Sequence, residues 1–179
     1  VKRLSTEAEN VLNRDFEQIV SDLLASPVVQ SMDGQIHHNS VTTLEHCLSV
    51  AFMSFKLSRR IGLDSRAVAR GAMLHDLYLY DWHEIKPPEG LHGFTHPGIA
   101  LRNASKLFEL NELERDIICK HMWPLTIKPP TYKESLLVCL VDKYCALLEV
   151  VNHRRKQRLE KFKKAISLLD SSSQIQTES

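Results

Sequence analysis

The chain has 179 residues, 43% of them hydrophobic and 25% charged, with a formal net charge of +1. That length holds one domain with a substantial core and is short for two. Near-neutral charge excludes a molecule whose whole surface is built to attract nucleic acid or an acidic membrane.

In chain order, Val1–Glu7 is charged and lacks an apolar signal region. Phe16, Ile19, Val20, Leu23 and Leu24 recur at the spacing of one helix face, predicting a helix from Thr6 to Ala25. Thr42-x-x-Glu45 is a capping box opening a helix to about Arg60, with Gly62 as its stop. Asp64 or Ser65 caps a third helix that carries Ala67, Val68, Ala72, Met73 and Leu74 and reaches His75-Asp76. Pro87, Pro88, Gly90 and Gly93 make Tyr80–Phe94 a loop. Thr95-His96-Pro97 reads as a cap with a first-turn proline, starting a helix to about Glu109.

Asn111-x-x-Glu114 is a second capping box, for a helix ending near His121. Pro124, Pro129 and Pro130 mark another loop, and Thr131-x-x-Glu134 opens a long final helix through Asp142, running on as far as Leu169. No alternating strand pattern of useful length is present, so the expected fold is all-α. The longest apolar stretch, Leu136–Val151, is interrupted by Asp142, Lys143 and Glu149 and is too short to span a bilayer. A cytoplasmic protein without membrane contact is the expectation. Cys47, Cys119, Cys139 and Cys145 have no CxxC spacing and lie inside apolar helical patterns, which reads as free buried thiols.

The nine histidines are the compositional anomaly. His75-Asp76 closes the apolar run Ala72-Met73-Leu74, placing two different ligand types at neighbouring positions. Asp142 follows Leu136-Leu137-Val138-Cys139-Leu140-Val141 on a helix that reads as apolar all round and therefore central. An ionised carboxylate there needs a cation or several hydrogen bonds, from Lys143, Arg70, a helix terminus or a metal. His46 sits on a helix with little polar surface, where a satisfied core histidine is the plainer alternative to a ligand. His96 at a helix start and His121 at a helix end stand where side chains can converge on a shared cavity.

The order His46 … His75-Asp76 … Asp142, in the contexts His46-Cys47-Leu48-Ser49-Val50-Ala51, Met73-Leu74-His75-Asp76 and Val141-Asp142-Lys143, resembles the HD-domain superfamily of metal-dependent phosphohydrolases. The resemblance runs from about Ser40 to Val151, and His96 and His121 match its binuclear members, with His92 as an alternative to His96. It implies a single HD-type helical bundle holding two divalent transition-metal ions. His46, His75, Asp76 and Asp142 would hold the first ion; Asp76 would bridge to a second, held also by His96 and His121. A metal-bound hydroxide would attack phosphorus in a phosphomonoester or phosphodiester of a nucleotide or small metabolite. Asp76 and Lys143, the nearest candidate phosphate-binding cation, are the expected catalytic residues. The mixed His/carboxylate set favours iron or manganese, with magnesium, nickel, cobalt and zinc as other candidates.

Within that frame, residues 1–30 form an N-terminal helix packing on the domain, 31–152 the metal-binding domain, and 153–179 a basic helical extension with a polar, disordered tail. The run 153–164 holds seven Lys or Arg against one Glu, ordinarily a solvated helical face; an anionic partner such as RNA is the alternative. His37-His38 reads as an exposed loop pair, with substrate contact as the second reading, and His83 and His92 belong to a loop that could cover the site. Leu77–Trp82 offers only Asp81 where many hydrolases of the family carry Lys or Glu, and the Gly-Tyr-Pro signature of the cyclic-di-GMP branch is absent. Two rival functions share the ligand order: a di-iron oxygenase of the same fold, and a non-catalytic metal-binding regulatory module. Oligomeric state is not fixed by the sequence.

Overall fold

A computed structural model describes residues 6–38, 41–81 and 90–153. They form an all-α bundle: α1 (Thr6–Leu24), the short α2 (Pro27–Gln30), α3 (Thr43–Ile61), α4 (Ser65–Leu74), α5 (His92–Leu107), α6 (Glu112–Lys120) and α7 (133–153). A small antiparallel hairpin, β1 (Ile36–His38) and β2 (Val41–Thr42), precedes α3. The sequence showed no such strand, because two or three residues are too few to display a period.

Both expected capping boxes form. Thr42 accepts the Glu45 N–H while Glu45 returns to the Thr42 N–H, and Asn111 and Glu114 do the same at α6. Gly62 closes α3 with φ of 72°, a left-handed conformation that suits glycine. Asp64 caps α4 through the Ala67 N–H. Thr131-x-x-Glu134, which has the same spacing, does not form a box. The Thr131 hydroxyl and N–H both go to Asp116, and Glu134 instead accepts from the Asp64 N–H.

Two other boundaries move. α5 starts at His92, one turn before Thr95, so Pro97 lies inside the helix rather than in its first turn. The carbonyl that Pro97 crowds, four residues back, belongs to Gly93, and Thr95 Oγ1 donates to the Leu91 carbonyl at 3.1 Å. α4 ends at Leu74, so His75-Asp76 occupies a turn just beyond the helix.

α4 is the axis of the core, with every residue from Ala67 to Leu74 buried. Around it pack Val20 and Leu23 of α1, Cys47, Val50 and Phe55 of α3, Ala100 and Ala104 of α5, Ile117 and Ile118 of α6, and Val138 and Val141 of α7. Gly71 sets the α4–α6 approach, since a Cβ there would lie 2.9 Å from Ile117 Cδ1 and 3.0 Å from its Cβ. Arg70, buried on α4, pairs with Asp22 at 2.6 Å and Glu114 at 3.3 Å, tying α1 to α6 and leaving it no part in neutralising Asp142.

α7 is not central on all sides. Val138, Val141, Asp142 and Cys145 face the core, whereas Leu136, Leu140, Tyr144, Leu147 and Val151 are exposed. Apolar residues all round a helix therefore mark two different surfaces here. Cys47, Cys139 and Cys145 are buried and free as expected; Cys119 is free but exposed. No described helix is long and apolar enough to cross a membrane. The basic run from Arg154 onward and His83 lie outside the described residues.

Candidate metal centre

Five elements converge at one end of α4. α3 contributes His46, the turn after α4 His75 and Asp76, α5 His96, the end of α6 His121, and α7 Asp142. All six are buried, none more than 7% exposed. Helix ends explain most of the convergence, because His46, His75-Asp76, His96 and His121 lie near the termini of their helices, while Asp142 reaches the same space from the middle of α7.

Three of the imidazoles are oriented identically. His75 Nδ1 donates to the Ala72 carbonyl at 2.6 Å, His96 Nδ1 to the His92 carbonyl at 2.8 Å and His121 Nδ1 to the Ile118 carbonyl at 2.8 Å. Each carbonyl lies three or four residues back along the chain, so local geometry fixes the tautomer, assigned here from the hydrogen bonds. In the neutral form every Nε2 then offers a lone pair to the same space. His96 and His121 bring their Nε2 atoms to 2.8 Å of each other. Two lone pairs at that distance repel unless a cation or shared proton lies between them.

The carboxylates complete the donor set. Asp76 Oδ1 lies 3.2 Å from His96 Nε2 and 3.4 Å from His121 Nε2. Its other oxygen, Oδ2, lies 3.6 Å from His75 Nε2. Asp142 Oδ1 is 3.0 Å from His46 Nε2 and 3.6 Å from His75 Nε2. His75 Nε2 and Asp76 Oδ1 are buried without a hydrogen-bond partner, an arrangement costing about 1–3 kcal/mol per group when nothing receives them. Cations held in the cluster would satisfy both. Ligand atoms of His46, His75 and Asp142, and of His75, Asp76 and His121, lie within 4.8 Å of one another. Carboxylate and imidazole donors backed by carbonyls suit a borderline divalent ion.

Electrostatics follow from the same packing. Burial would raise Asp76, yet the charge of His75 and the adjoining imidazoles of His121, His37 and His96 hold it well below the usual carboxylate range. Asp142 is likewise held low against its burial by His46 and His75. Burial would lower His75, but Asp76 beside it raises it well above the ordinary imidazole value. For His121 burial dominates and lowers it.

Two functional neighbours were not legible as such. Glu149 Oε1 accepts from His46 Nδ1 at 2.9 Å, so this carboxylate on α7 fixes the one imidazole that no carbonyl orients. Burial would raise Glu149, but the neighbouring imidazoles of His37 and His46 bring it down to about 2. Its signal was present, because Glu149 lies seven residues, two turns, after Asp142 and so on the same helix face. His37 is not an exposed loop residue. Its ring stacks on His46 with centroids 3.9 Å apart, and its Nε2 lies 3.1 Å from Asp76 Oδ2. Burial would lower it, but the neighbouring Asp76 and Glu149 carboxylates raise it to about 9. The side chain of its neighbour His38 lies outside the described residues.

His92 stands behind His96, ring on ring at 4.4 Å, with its Nδ1 2.8 Å from the Tyr80 hydroxyl. The residue aimed at Asp76 is His96. Burial, then the adjacent His96, lowers His92 to about 4. A cavity of about 580 Å³ opens onto the cluster, a size suited to a small ligand. His37, Asp76, His96, His121 and Asp142 line one side, with Met122, Pro124, Leu125 and Ala146 as an apolar side. Lys143 also lines it, its Nζ donating to the carbonyls of His121 at 2.8 Å and Cys139 at 3.3 Å and standing 4.0 Å from Asp142 Oδ2.

Comparison with known proteins agrees with the geometry. The family model described as HD domain matches residues 43–147, which contain all six converging side chains. A ribonuclease Y from Protochlamydia amoebophila (strain UWE25) is 38% identical over 87 residues, covering 48% of this chain and 15% of that protein. The chain thus corresponds to a small part of that relative's length. No solved structure matches it significantly.

Proposed function

The chain belongs to the HD-domain family, and from that premise we propose that it is a metal-dependent phosphohydrolase acting on a nucleotide or a similarly small phosphoester. The observation that carries the reading is the set of Nε2 atoms of His75, His96 and His121, each backed by a carbonyl on Nδ1 and all aimed at Asp76. His46, His75, Asp76 and Asp142 would hold one divalent ion, and Asp76, His96 and His121 a second. Asp76 is suited to serve both, because its two oxygens face different imidazoles. Iron or manganese matches the donor set best. Such ions supply water activation at neutral pH and neutralise charge developing on phosphoryl oxygens.

The remaining work falls to the chain. Asp76, held ionised, orients both halves of the donor set. Lys143 stands at the cavity edge where a phosphate oxygen would lie, and we assign it to substrate charge. The apolar side formed by Met122, Pro124 and Leu125 receives the rest of the substrate and excludes water from it. A cavity of about 580 Å³ favours one nucleotide unit over a long strand. The name of the ribonuclease Y relative adds support for a phosphodiester of nucleotide type.

The test is phosphate or nucleotide release from a panel of phosphomonoesters and phosphodiesters by protein loaded with manganese or iron. His75→Ala and Asp76→Ala should lose metal and turnover together. Inert metal-loaded protein across the panel contradicts the assignment. Oxygen consumption by the iron form with an organic substrate transfers it to the oxygenase class.

A further inference from the structure

The hairpin before α3 brings a seventh donor to the cluster. We propose that His37 is a further protein ligand of the first ion, joining His46, His75, Asp76 and Asp142. The inference rests on the metal reading above and adds a residue to it.

Position is the first argument. His37 Nε2 lies 3.1 Å from Asp76 Oδ2, the oxygen that also faces His75, while Oδ1 faces His96 and His121. His37 is therefore on the first ion's side of the shared carboxylate. Its ring is stacked on His46 at 3.9 Å with only 19° between the planes. Ligand atoms of His37, His46 and Asp76 lie within 4.8 Å of one another, as those of His46, His75 and Asp142 do.

Support from behind is the second argument. Glu149 stands behind both stacked rings: Oε1 accepts from His46 Nδ1 at 2.9 Å, and Oε2 is 3.7 Å from His37 Nδ1, an ion-pair distance too long for a hydrogen bond. A carboxylate behind a histidine is the arrangement that orients metal-ligating imidazoles and raises their basicity. A histidine serving only as hairpin surface has no need of it.

The hairpin itself is pinned to the site. The Gln35 carbonyl accepts from the Thr43 N–H at 2.8 Å and the Thr43 hydroxyl at 3.2 Å, and Thr42 Oγ1 donates to Asp33 at 3.0 Å. Thr43 Oγ1 is also 3.1 Å from the Tyr78 hydroxyl, two residues past Asp76. The strand carrying His37 is thus fastened to α3, and Thr43 ties that end of α3 to the segment after the His-Asp pair. One consequence is asymmetry: His37 gives the first ion five protein donors against three for the second, so the second is the more open to substrate.

Cobalt(II) alone provides the probe. The metal-free full chain is titrated with it, following uptake and visible absorption, for wild type, His37→Ala and His37→Asn. Both variants should keep the second ion. The first should bind about tenfold more weakly or worse, and its absorption should strengthen, because cobalt bands intensify as the coordination number falls. Added imidazole should restore the wild-type spectrum of His37→Ala, which replacing a mere hydrogen-bond partner does not do. Identical spectra and affinities in all three proteins overturn the proposal. So does a change confined to KM for a phosphoester, which makes His37 a substrate contact. Wild type that takes up no cobalt overturns the metal reading itself, and that result is separate from any variant. Far-UV circular dichroism of the metal-free variants checks their fold, and concordance of Ala with Asn excludes a packing artefact.

Discussion

Glu149→Ala is the perturbation that separates a metal-organising cluster from a set of buried ion pairs. His46 is fully buried, and its Nδ1 has Glu149 at 2.9 Å while its Nε2 points to Asp142 at 3.0 Å. Truncation leaves a buried imidazole N–H without its acceptor, a loss of about 1–3 kcal/mol. At about 1.4 kcal/mol per tenfold, that sets an upper range of about 5–140-fold for the weakening of metal binding, which overlaps the range of about 10–100-fold for outer carboxylates behind metal-bound histidines. Glu149→Gln keeps a carbonyl oxygen but no charge, and should fall between the two. Competition of cobalt(II) between each metal-free protein and a chelator of known affinity, at constant pH, gives the ratios directly. Equal affinity in wild type and Glu149→Ala refutes the reasoning, for then His46 is not oriented by Glu149 or is not a ligand.

Three further outcomes follow from the packing and charges. Metal uptake should release protons and tighten with rising pH, because His75 is raised above the ordinary imidazole value in the metal-free cluster and must lose its proton to bind. Calorimetric titration in two buffers of different ionisation enthalpy counts those protons, and none released at neutral pH contradicts this. Gly71→Ala should destabilise the metal-free protein: overpacking against Ile117 costs about 1–3 kcal/mol, against a helix-propensity gain of about 1 kcal/mol. A raised melting temperature would falsify that account of the α4–α6 contact. Asp116→Asn should lose about 1–3 kcal/mol at pH 7, since Asp116 receives both the N–H and hydroxyl of Thr131 and pairs with Lys120 at 2.6 Å. Burial works against ionisation, but Lys120 and Thr131 keep the folded carboxyl titrating below the pH at which an ordinary aspartate titrates. Its contribution is therefore complete above that pH and lost as pH falls through the folded value. Denaturant unfolding should show the difference between wild type and variant closing on acidification; a widening gap runs the wrong way.

The residues legible beforehand were those whose local context was costly or distinctive. His75-Asp76 and Asp142 stood out because carboxylates in apolar runs demand a partner, and the structure gives them one another and the histidines. The two capping boxes that formed are local patterns complete within four residues. Thr131-x-x-Glu134 has the same letters but fails, because Asp116 and Asp64, distant in sequence, compete for its groups. His37 was misjudged for a similar reason: a three-residue strand leaves no periodic trace, and only the tertiary docking of the hairpin brings its ring over His46. The apolar surface of α7 was read as core, since periodicity reports hydrophobicity and not what covers it. Leu140 and Leu147 are more than half exposed, at 55% and 60%.

The most direct test of the central claim is elemental analysis of the chain purified without chelators, alongside Asp76→Ala and with phosphoester turnover measured on the same samples. The account predicts two divalent ions per wild-type chain, and metal and turnover lost together in the variant. Phosphate release that persists in metal-free wild type, or a variant that keeps both ions, contradicts it.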